Sequence, residues 1–482
     1  AANGIQVTRP RLAVVSGSTV FTDVCAADAV CSTGIFQSQA YDAVMMVGYA
    51  AMMEGGANMA TNIEVVGNGY VGESGTHTFL DNGDVEGPGY DVCTFHHVPT
   101  YGDYFNCDRM WEADDGGVKW APFTGTTVKI GFLNDATGPI AVYADGFVAA
   151  SQIALGLVNT VGYSSGVQFD IVYADSGCNG EMGTSAAQSL VDSGVWGVVG
   201  AACSGASMGA NAVLAAAGVP QISYASTSPA LSDATAYPGF FRVVPSDAMQ
   251  GIAMAEVMTY DGMDNVAVVH MTNDYGAGLA DAFVGNMDAS HICTQLGYDA
   301  ETTTDFASAV ESVMADGCTS VFLVSYASDG AMIIEEMASQ GYSGAIYGGD
   351  GIAEEGLAWD MADPSLVDGV IASKPLAGGS MSEIGQYFAY LCSVNADCAG
   401  GIYTSEAYDA VTIMGLAAFT ALTTPGLDAG MAVMAVGQGW DGASGSLSFM
   451  QNGDVPGPGF CIGEFSHDSA DGSVSYDCIR YW

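Results

Sequence analysis

The chain has 482 residues, a length that suggests two to four domains with sizeable cores. Its hydrophobic content of 49% argues against a disordered chain. It carries 54 acidic and only 8 basic side chains, and the formal net charge of -46 argues against nucleic acid and anionic membrane surfaces as partners. The number of acidic residues is normal for this length, so the negative charge arises because basic residues are scarce. This composition favours a protein secreted into a salty medium.

The first 111 residues repeat the end of the chain. Both segments contain two closely spaced cysteines, the motif Ala-Tyr-Asp-Ala-Val, the motif Asn-Gly-Asp-Val with Gly-Pro-Gly one residue later, and a late cysteine followed by a tryptophan. Four features in one order at a nearly constant offset indicate an incomplete internal repeat. We therefore expect residues 1–111 to be a partial α+β repeat of the tail. Residues 112–125, which contain acids, glycines and a proline, are predicted to be a linker.

From Thr126 onwards, continuous apolar strands alternate with helices, as in a parallel sheet that is covered by helices on both faces. No run of 18 apolar residues is present, so the sequence predicts no membrane span. The predicted strands are 128–133, 167–173, 195–200, 220–224, 266–271, 292–298 and 319–325. The predicted helices are 142–157, 184–191, 207–217, 278–288, 305–314 and 329–340.

Twelve cysteines, an even number, predict a disulfide framework and an oxidising compartment outside the cytoplasm. Consecutive cysteines pair off naturally along the chain, and the repeat supports this pairing. The six predicted local bonds are Cys25–Cys31, Cys93–Cys107, Cys178–Cys203, Cys293–Cys318, Cys392–Cys398 and Cys461–Cys478. The alternative, a zinc site, is disfavoured because no Cys-x-x-Cys pair and no suitable cysteine–histidine spacing occurs.

Small residues and hydroxyls follow the predicted strands, where ligands bind in open parallel sheets. Ser204 lies at the start of a helix, where free backbone N–H groups suit an anion, although a helix-capping role is the alternative. Asp350 is the one acid among glycines at a strand end and suits an ammonium group; a turn aspartate is the alternative. The hydroxyls of residues 223–229 and the aromatic rings of Tyr275 and Tyr326 also lie just after predicted strands and are candidate ligand contacts. The alternative is that they belong to ordinary loops or pack against neighbouring side chains.

Together these segments resemble a known family, the type I periplasmic substrate-binding proteins, and in particular the branched-chain amino-acid (Leu/Ile/Val) binding proteins of ABC importers. The resemblance covers all of residues 126–482. It rests on segments that follow one another in the family's order: 137–143 (with Gly138, Pro139 and Tyr143), 200–204, 218–220, 223–229, 241–247, 274–276, 349–351, 372–375 and 449–454.

The resemblance implies an α/β fold of two lobes joined by three crossovers and closing on a ligand like a hinged clamp. Lobe 1 is expected at about 126–247 and 376–435, and lobe 2 at about 248–372 and 440–482. By the same resemblance a ligand carboxylate meets Ser204 and Thr227, and a ligand ammonium meets Asp350 and carbonyls near Ala225. Tyr143, Tyr275 and Tyr326 are expected to line the side-chain pocket, and the family often has a disulfide where Cys178 and Cys203 stand.

The resemblance predicts a non-enzymatic ligand-binding protein for an amino acid or similar small zwitterion, located in the periplasm, on the cell surface or outside the cell, with an ABC permease as a candidate partner. No catalytic motif is present. The alternative hypothesis is a structural subunit of an extracellular filament or surface array, with residues 1–111 making the contact between subunits. No cofactor is expected, although the acids between Asp468 and Asp477 are candidates for a Ca²⁺ site despite lacking EF-hand spacing.

Overall fold

The protein forms two compact units, residues 1–124 and 125–482. The computed structural model describes residues 6–10, 21, 25, 37–53, 58–85, 90–98, 102–111, 118–120, 125–163, 165–359, 361–376, 382–399 and 401–482. The two units are described separately below.

The first unit contains an antiparallel sheet, a small hairpin and helices. The sheet has the strand order β1-β4-β5-β6, and β2 pairs with β3. The elements are β1 (Gln6–Pro10), α1 (Gln37–Met52), α2 (Met59–Gly67), β2 (Tyr70–Gly72), β3 (Gly75–His77), β4 (Tyr90–Val98), β5 (Gly102–Trp111) and β6 (Val118–Trp120). Strand β6 lies within the predicted linker at 112–125 and corrects it in part, because its three residues pair with the edge of β5.

The second unit contains two parallel sheets with helices packed on them. Its strands are β7 (Thr126–Asn134), β8 (Val167–Asp175), β9 (Gly197–Val199), β10 (Gln221–Ser223), β11 (Phe240–Arg242), β12 (Val266–Met271), β13 (Ile292–Tyr298), β14 (Ser320–Val324), β15 (Ala345–Gly348), β16 (Ile371–Pro375), β17 (Trp440–Asp441), β18 (Ser446–Leu447), β19 (Phe460–His467) and β20 (Val474–Tyr481). Its helices are α3 (Ala144–Tyr163), α4 (Gly180–Asp192), α5 (Ser204–Ala217), α6 (Asp247–Tyr260), α7 (Asp274–Asn286), α8 (Ala307–Ala315), α9 (Ala327–Ser339), α10 (Glu383–Ser393), α11 (Thr404–Thr423) and α12 (Ala429–Val436).

Each sheet is the centre of one lobe. Lobe 1 has the parallel order β11-β10-β9-β7-β8, and the late helix α11 packs on its α3 and β9. Lobe 2 has the order β13-β12-β14-β15-β16-β19-β20, which is parallel up to β16 and antiparallel from β16 to β20. Strands such as β12 and β14 are buried along their whole length, which explains why their sequences are continuously apolar.

Three connections join the lobes: the first at residues 243–246, the second between β16 and α10, most of which lies outside the described residues, and the third at residues 448–459. The third begins later than the predicted lobe 2 boundary at 440. The backbone N–H of Arg242 donates to the carbonyl of Gly453, and the Arg242 side chain pairs with Asp454, so this segment lies against lobe 1. The chain joins the lobe 2 sheet only at Phe460.

Helix α3 has the length and composition of a membrane span, since the stretch Ala141–Gly162 has a mean hydropathy of 1.5. Its apolar side chains are used within lobe 1, however. Phe147, Ala154 and Val158 are fully buried, and the helix packs on α11 and β8. Burial of this face is the ordinary reason for an apolar helix in a sheet-and-helix domain.

Five of the six predicted disulfides are present, namely Cys93–Cys107, Cys178–Cys203, Cys293–Cys318, Cys392–Cys398 and Cys461–Cys478. Cys25 is disulfide-bonded as well, and its predicted partner Cys31 lies outside the described residues.

The candidate Ca²⁺ acids lie in the β19–β20 turn and at the start of β20. Asp468 and Asp471 accept bonds from nearby backbone N–H groups, and Asp477 accepts one from a serine hydroxyl. Within the described part of the chain, the one group with metal-ligand spacing is Asp135 with Cys178 and Cys203, and those two thiols are joined to each other.

Candidate functional site

A cavity of about 50 Å³ lies between the two lobes at the carboxyl ends of their parallel strands. All seven residues that the sequence predicted for ligand binding line it. The lining residues are Ile140, Tyr143, Phe147, Ala202, Cys203, Ser204, Ala225, Thr227, Tyr275, Tyr326, Asp350, Gly351, Ile402 and Tyr403.

Lobe 1 contributes hydroxyl groups and the start of helix α5 to the cavity. Ser204 is the first residue of α5, and its hydroxyl oxygen accepts the backbone N–H of Ser228 at 3.2 Å, which leaves its own proton to donate. The first-turn N–H groups of a helix have no partner within the helix, and they carry partial positive charge. Thr227 follows β10 and is buried beside the carboxyl group of Asp247, and its hydroxyl makes no hydrogen bond of ordinary geometry to the described residues. This wall therefore suits an anionic group.

A buried arginine holds the loop that carries Thr227. The Arg242 side chain is 0% exposed, and its Nε donates to Asp454 at 2.7 Å. Its Nη1 donates to the carbonyls of Ser226 and Ser228, at 3.3 and 3.0 Å, on both sides of Thr227. Because an unpaired buried charge is costly, this arrangement fixes the loop firmly.

A second buried cluster fixes the start of α5. Asp135 accepts the backbone N–H of Ala202 at 3.3 Å and that of Cys178 at 3.1 Å, so it ties together the two loops that the Cys178–Cys203 bond also joins. Burial raises the pKa of Asp135 to about 6, although hydrogen bonds oppose the rise. We regard Asp135 as a structural support for the cavity wall.

Lobe 2 contributes one acid, Asp350, in the turn after β15. It is 3% exposed and accepts hydrogen bonds from the hydroxyls of Tyr275, at 2.7 Å, and Tyr403, at 2.6 Å. Burial raises its pKa, and the two tyrosine hydrogen bonds oppose that rise. Tyr275 also accepts the backbone N–H of Gly351 at 3.0 Å, so its ring position is fixed by the same turn.

Tyr403 is the site residue that the sequence reasoning missed. It lies just before α11 with a left-handed φ of 54°, and it belongs to lobe 1 while Asp350 belongs to lobe 2. The hydrogen bond between them therefore joins the lobes directly. The sequence offers one hint of this role, since Tyr403 lies four residues before the Ala-Tyr-Asp-Ala-Val motif at the start of a helix. That motif indicated the repeat but did not by itself indicate a ligand site.

A second buried acid, Asp247, stands close behind this end of the site. It is 0% exposed, and neither of its carboxylate oxygens has a hydrogen bond of ordinary geometry. Burial raises its pKa, the charge of Asp350 raises it further, and the hydroxyl of Thr227 offsets only part of the rise. Two neighbouring buried acids make this region favourable for a cation.

The remaining walls are apolar. The rings of Tyr275 and Tyr326 stack, with centroids 5.4 Å apart and an interplanar angle of 8°. Tyr143 of lobe 1 meets Trp359 of lobe 2 across the cleft, at 6.1 Å between ring centroids. A Cβ at Gly356 would lie 2.3 Å from the Tyr143 hydroxyl, so glycine at this position is required for the close approach.

A wider cavity of about 600 Å³ shares Tyr275 and Tyr326 with the first cavity. Its wall includes the loop at Gly138 and Pro139 from lobe 1 and the acids Asp274, Asp299 and Glu301 from lobe 2. We interpret it as the mouth of the cleft.

The architecture and the enclosed cavity are those of a two-lobed ligand-binding protein of the type I periplasmic class. Residues 148–468 match the family described as the receptor family ligand binding region. The chain belongs to this family, and the resemblance noted in its sequence is thereby confirmed.

Relatives of known identity agree with this assignment. The Leu/Ile/Val-binding protein homolog 3 of Brucella melitensis is 26% identical over 338 residues, which cover 70% of this chain and 90% of the relative. The leucine-, isoleucine-, valine-, threonine-, and alanine-binding protein of Pseudomonas aeruginosa is 25% identical over 346 residues, which cover 71% and 91%. These relatives are ligand-binding proteins, so the expectation of a non-enzymatic protein is also confirmed.

Solved structures show the same fold. A leucine-binding protein from Thermotoga maritima superimposes with a TM-score of 0.65 at 21% identity, covering 73% of this chain and 97% of the other. A branched-chain amino-acid transporter binding protein from Streptococcus pneumoniae, in complex with isoleucine, gives 0.63 at 22%, covering 73% and 99%. A solute-binding protein from R. palustris, in complex with 4-hydroxybenzoate, gives 0.64 at 17%, covering 74% and 97%.

Proposed function

We propose that the protein binds an amino acid, or a zwitterion of similar size, between its two lobes. The observation that carries this proposal is the pairing of opposite chemistries on the two sides of one cavity. Lobe 1 offers hydroxyl donors and a helix start, and lobe 2 offers the buried acid Asp350. A ligand with a carboxylate and an ammonium group satisfies both sides.

In the proposed complex, the ligand carboxylate accepts hydrogen bonds from Ser204, Thr227 and the first-turn N–H groups of α5. The buried Thr227 hydroxyl then gains a hydrogen bond of ordinary geometry. The ligand ammonium pairs with Asp350 and donates to the backbone near Ala225. The hydroxyl of Tyr403 donates to the Asp350 carboxylate at 2.6 Å and so helps to orient it toward the ligand.

The apolar wall defines the proposed side-chain specificity. Tyr143, Phe147, Tyr275, Tyr326 and the isoleucines at 140 and 402 surround a space that suits a branched or aromatic side chain. Proteins of this fold are found with isoleucine and with 4-hydroxybenzoate. The buried acids at 247 and 350 support an ammonium-bearing ligand over a simple carboxylate, because a carboxylate alone leaves Asp350 without its cation.

We further propose that the protein acts outside the cytoplasm and delivers its ligand to an ABC permease. Support comes from the disulfides, which are typical of oxidising compartments, and from relatives that bear the names of amino-acid-binding proteins. None of the relatives described above is named as a filament or array protein, and we make no proposal for that alternative.

Isothermal titration with L-leucine, L-isoleucine and L-phenylalanine tests the proposal, with 4-methylpentanoate as the matched control because it is leucine without the ammonium group. We expect saturable binding of at least one amino acid and an affinity for the control that is at least ~100-fold weaker. Equal affinity for leucine and 4-methylpentanoate, or no binding of any amino acid, contradicts the proposal.

A further inference from the structure

The first unit contains the same local structures as residues 404–482, which we call the closing segment of the binding domain. Asp42 of α1 accepts two consecutive backbone N–H groups after β2, at 2.8 and 2.7 Å, and the hydroxyl of Ser74. Asp409 of α11 accepts two consecutive N–H groups after β17, also at 2.8 and 2.7 Å, and the hydroxyl of Ser444. A buried aspartate thus ties a helix to a hairpin in the same way in both places.

A turn is shared as well. In residues 82–84 the asparagine amide donates to the aspartate carboxylate at 2.7 Å, and the glycine has φ +85°. In residues 452–454 the corresponding distance is 2.9 Å and the glycine has φ +87°. Only a glycine adopts this backbone conformation without strain, which explains its presence at the same place in both turns.

The sheets correspond too. Strand β1 runs antiparallel to β4 with Pro10 opposite Tyr90, and β16 runs antiparallel to β19 with Pro375 opposite Phe460. The correspondence between the sheets therefore includes strand β1, which precedes the first repeated sequence motif at Cys25.

The two regions differ in burial. In the closing segment, Val411 and Met414 of α11 are fully buried, and a Cβ at Gly197 of β9 would lie 2.2 Å from the Met414 sulfur. Gly415 admits Val158 of α3, because a Cβ there would lie 2.5 Å from that side chain. Lobe 1 therefore covers this face of α11 completely.

Among the described residues of the first unit, the corresponding face of α1 is exposed. Val44 is 70% and Val47 is 47% exposed, and a Cβ at Gly48 would meet nothing within 4 Å. A glycine inside an exposed helix lowers helix stability without a local benefit, so a groove at Gly48 indicates a contact surface. Asp84 is likewise exposed, whereas its counterpart Asp454 is buried against Arg242.

We propose that the face of α1 formed by Val44, Val47 and Gly48 docks on the first lobe of a type I binding domain that lacks its own closing segment. The partner is defined by the lobe 1 surface that covers α11. It offers a valine-bearing helix for the groove at Gly48, a glycine-containing strand for Val47, and an arginine for Asp84.

A second copy of this chain does not supply that surface, because its lobe 1 is already covered by its own α11. The two exposed valines alone are too few to form a large interface. An open lobe of this fold adds complementarity of shape at Gly48 and complementarity of charge at Asp84. The docking surface is thus specific for an open lobe of the same fold.

A graft within the full chain tests this proposal. Residues 404–454 are replaced by residues 37–84, so that lobe 1 of the binding domain receives α1 in place of α11. We expect the grafted chain to unfold in one cooperative thermal transition for the binding domain. Val44→Asp in the graft should lower its midpoint by roughly 10 °C, because it buries an unpaired charge.

The same Val44→Asp change at its natural position in the unaltered chain should shift the binding-domain midpoint by less than about 1 °C, because Val44 is exposed there. Val71→Asp is the matched control in the graft, since the corresponding residue Asp441 is exposed and charged. A graft that does not fold, or one that tolerates Val44→Asp, overturns the proposal. So does a dimer of the unaltered chain, seen by sedimentation, that Val44→Asp dissociates, because the occupant is then a second copy.

Discussion

The two lobes of the binding domain share one architecture but bring opposite chemistry to the cavity. Lobe 1 presents small residues, hydroxyls and the start of helix α5, whereas lobe 2 presents a buried acid that accepts a hydrogen bond from Tyr275, whose ring stacks on that of Tyr326. A ligand with one charge satisfies one lobe and leaves the other unpaired. A zwitterion satisfies both, and it gains its full binding energy only when the lobes are closed on it.

The rigidity of the two walls also differs. The lobe 1 wall is held from behind by Arg242 and Asp135, which bond to backbone groups on both sides of the ligand contacts. The lobe 2 acid is held by two tyrosine hydroxyls, one of which comes from the opposite lobe. Under the proposed binding mode, the ammonium side of the site therefore depends on closure, and the carboxylate side does not.

Asp350→Asn should produce the largest loss. The change keeps the shape and removes the charge that pairs with the ammonium group, so the affinity for leucine or the best amino acid should fall at least ~100-fold. Titration calorimetry measures this. Glu301→Gln, an equivalent change of an exposed acid at the cleft mouth, is the control and should alter affinity less than about twofold. Equal losses of affinity in the two variants would contradict the proposed contact between Asp350 and the ligand ammonium group.

Acid should weaken binding through the same residue. Burial raises the pKa of Asp350, so the carboxyl takes up a proton at a pH above the usual aspartate range, and an ammonium ligand must displace it. Below the raised pKa, affinity should fall roughly tenfold per pH unit. The residual binding of Asp350→Asn should lose most of this dependence; an unchanged pH profile in that variant assigns the titration to another group.

Thr227→Val tests the lobe 1 wall. Valine has nearly the same shape but lacks the hydroxyl, so amino-acid affinity should fall about tenfold. The unfolding midpoint without ligand should change little, because the removed hydroxyl makes no hydrogen bond of ordinary geometry and loses only its contact with Asp247. A fall in the midpoint together with affinity indicates a structural role for Thr227, and not a ligand contact.

Tyr403→Phe should have the smallest effect on affinity, about threefold, because Tyr275 still bonds to Asp350. It should, however, open the two lobes in the absence of ligand, which small-angle scattering detects as a larger radius of gyration. Tyr275→Phe is the matched control, since it removes the other hydroxyl from Asp350 but breaks no bond between lobes. Equal scattering changes in both variants would contradict a specific role of Tyr403 in closure.

The sequence predicted the lobes well because parallel strands buried on both faces leave a simple signal. Strands 266–271 and 292–298 have the predicted ends. Ser204, Thr227 and Asp350, which the strand-end rule and the family resemblance together predicted as ligand contacts, line one cavity.

Long-range contacts were beyond the sequence. Tyr403 reaches Asp350 only because its backbone adopts a left-handed φ and because α11 packs on a lobe more than two hundred residues earlier in the chain. The third crossover was placed too early, since nothing in residues 446–455 indicates locally that Arg242 will bind Asp454. The strand at Val118–Trp120 was missed because three residues are too short for a periodic pattern.

The placement of the disulfides has a mechanical consequence. Within the described part of the binding domain, each bond lies inside one lobe: Cys178–Cys203 and Cys392–Cys398 in lobe 1, Cys293–Cys318 and Cys461–Cys478 in lobe 2. The disulfides therefore stiffen each lobe and do not cross-link the connections between the lobes. Oxidation can therefore stabilise each lobe separately without restricting a hinge motion between the two lobes.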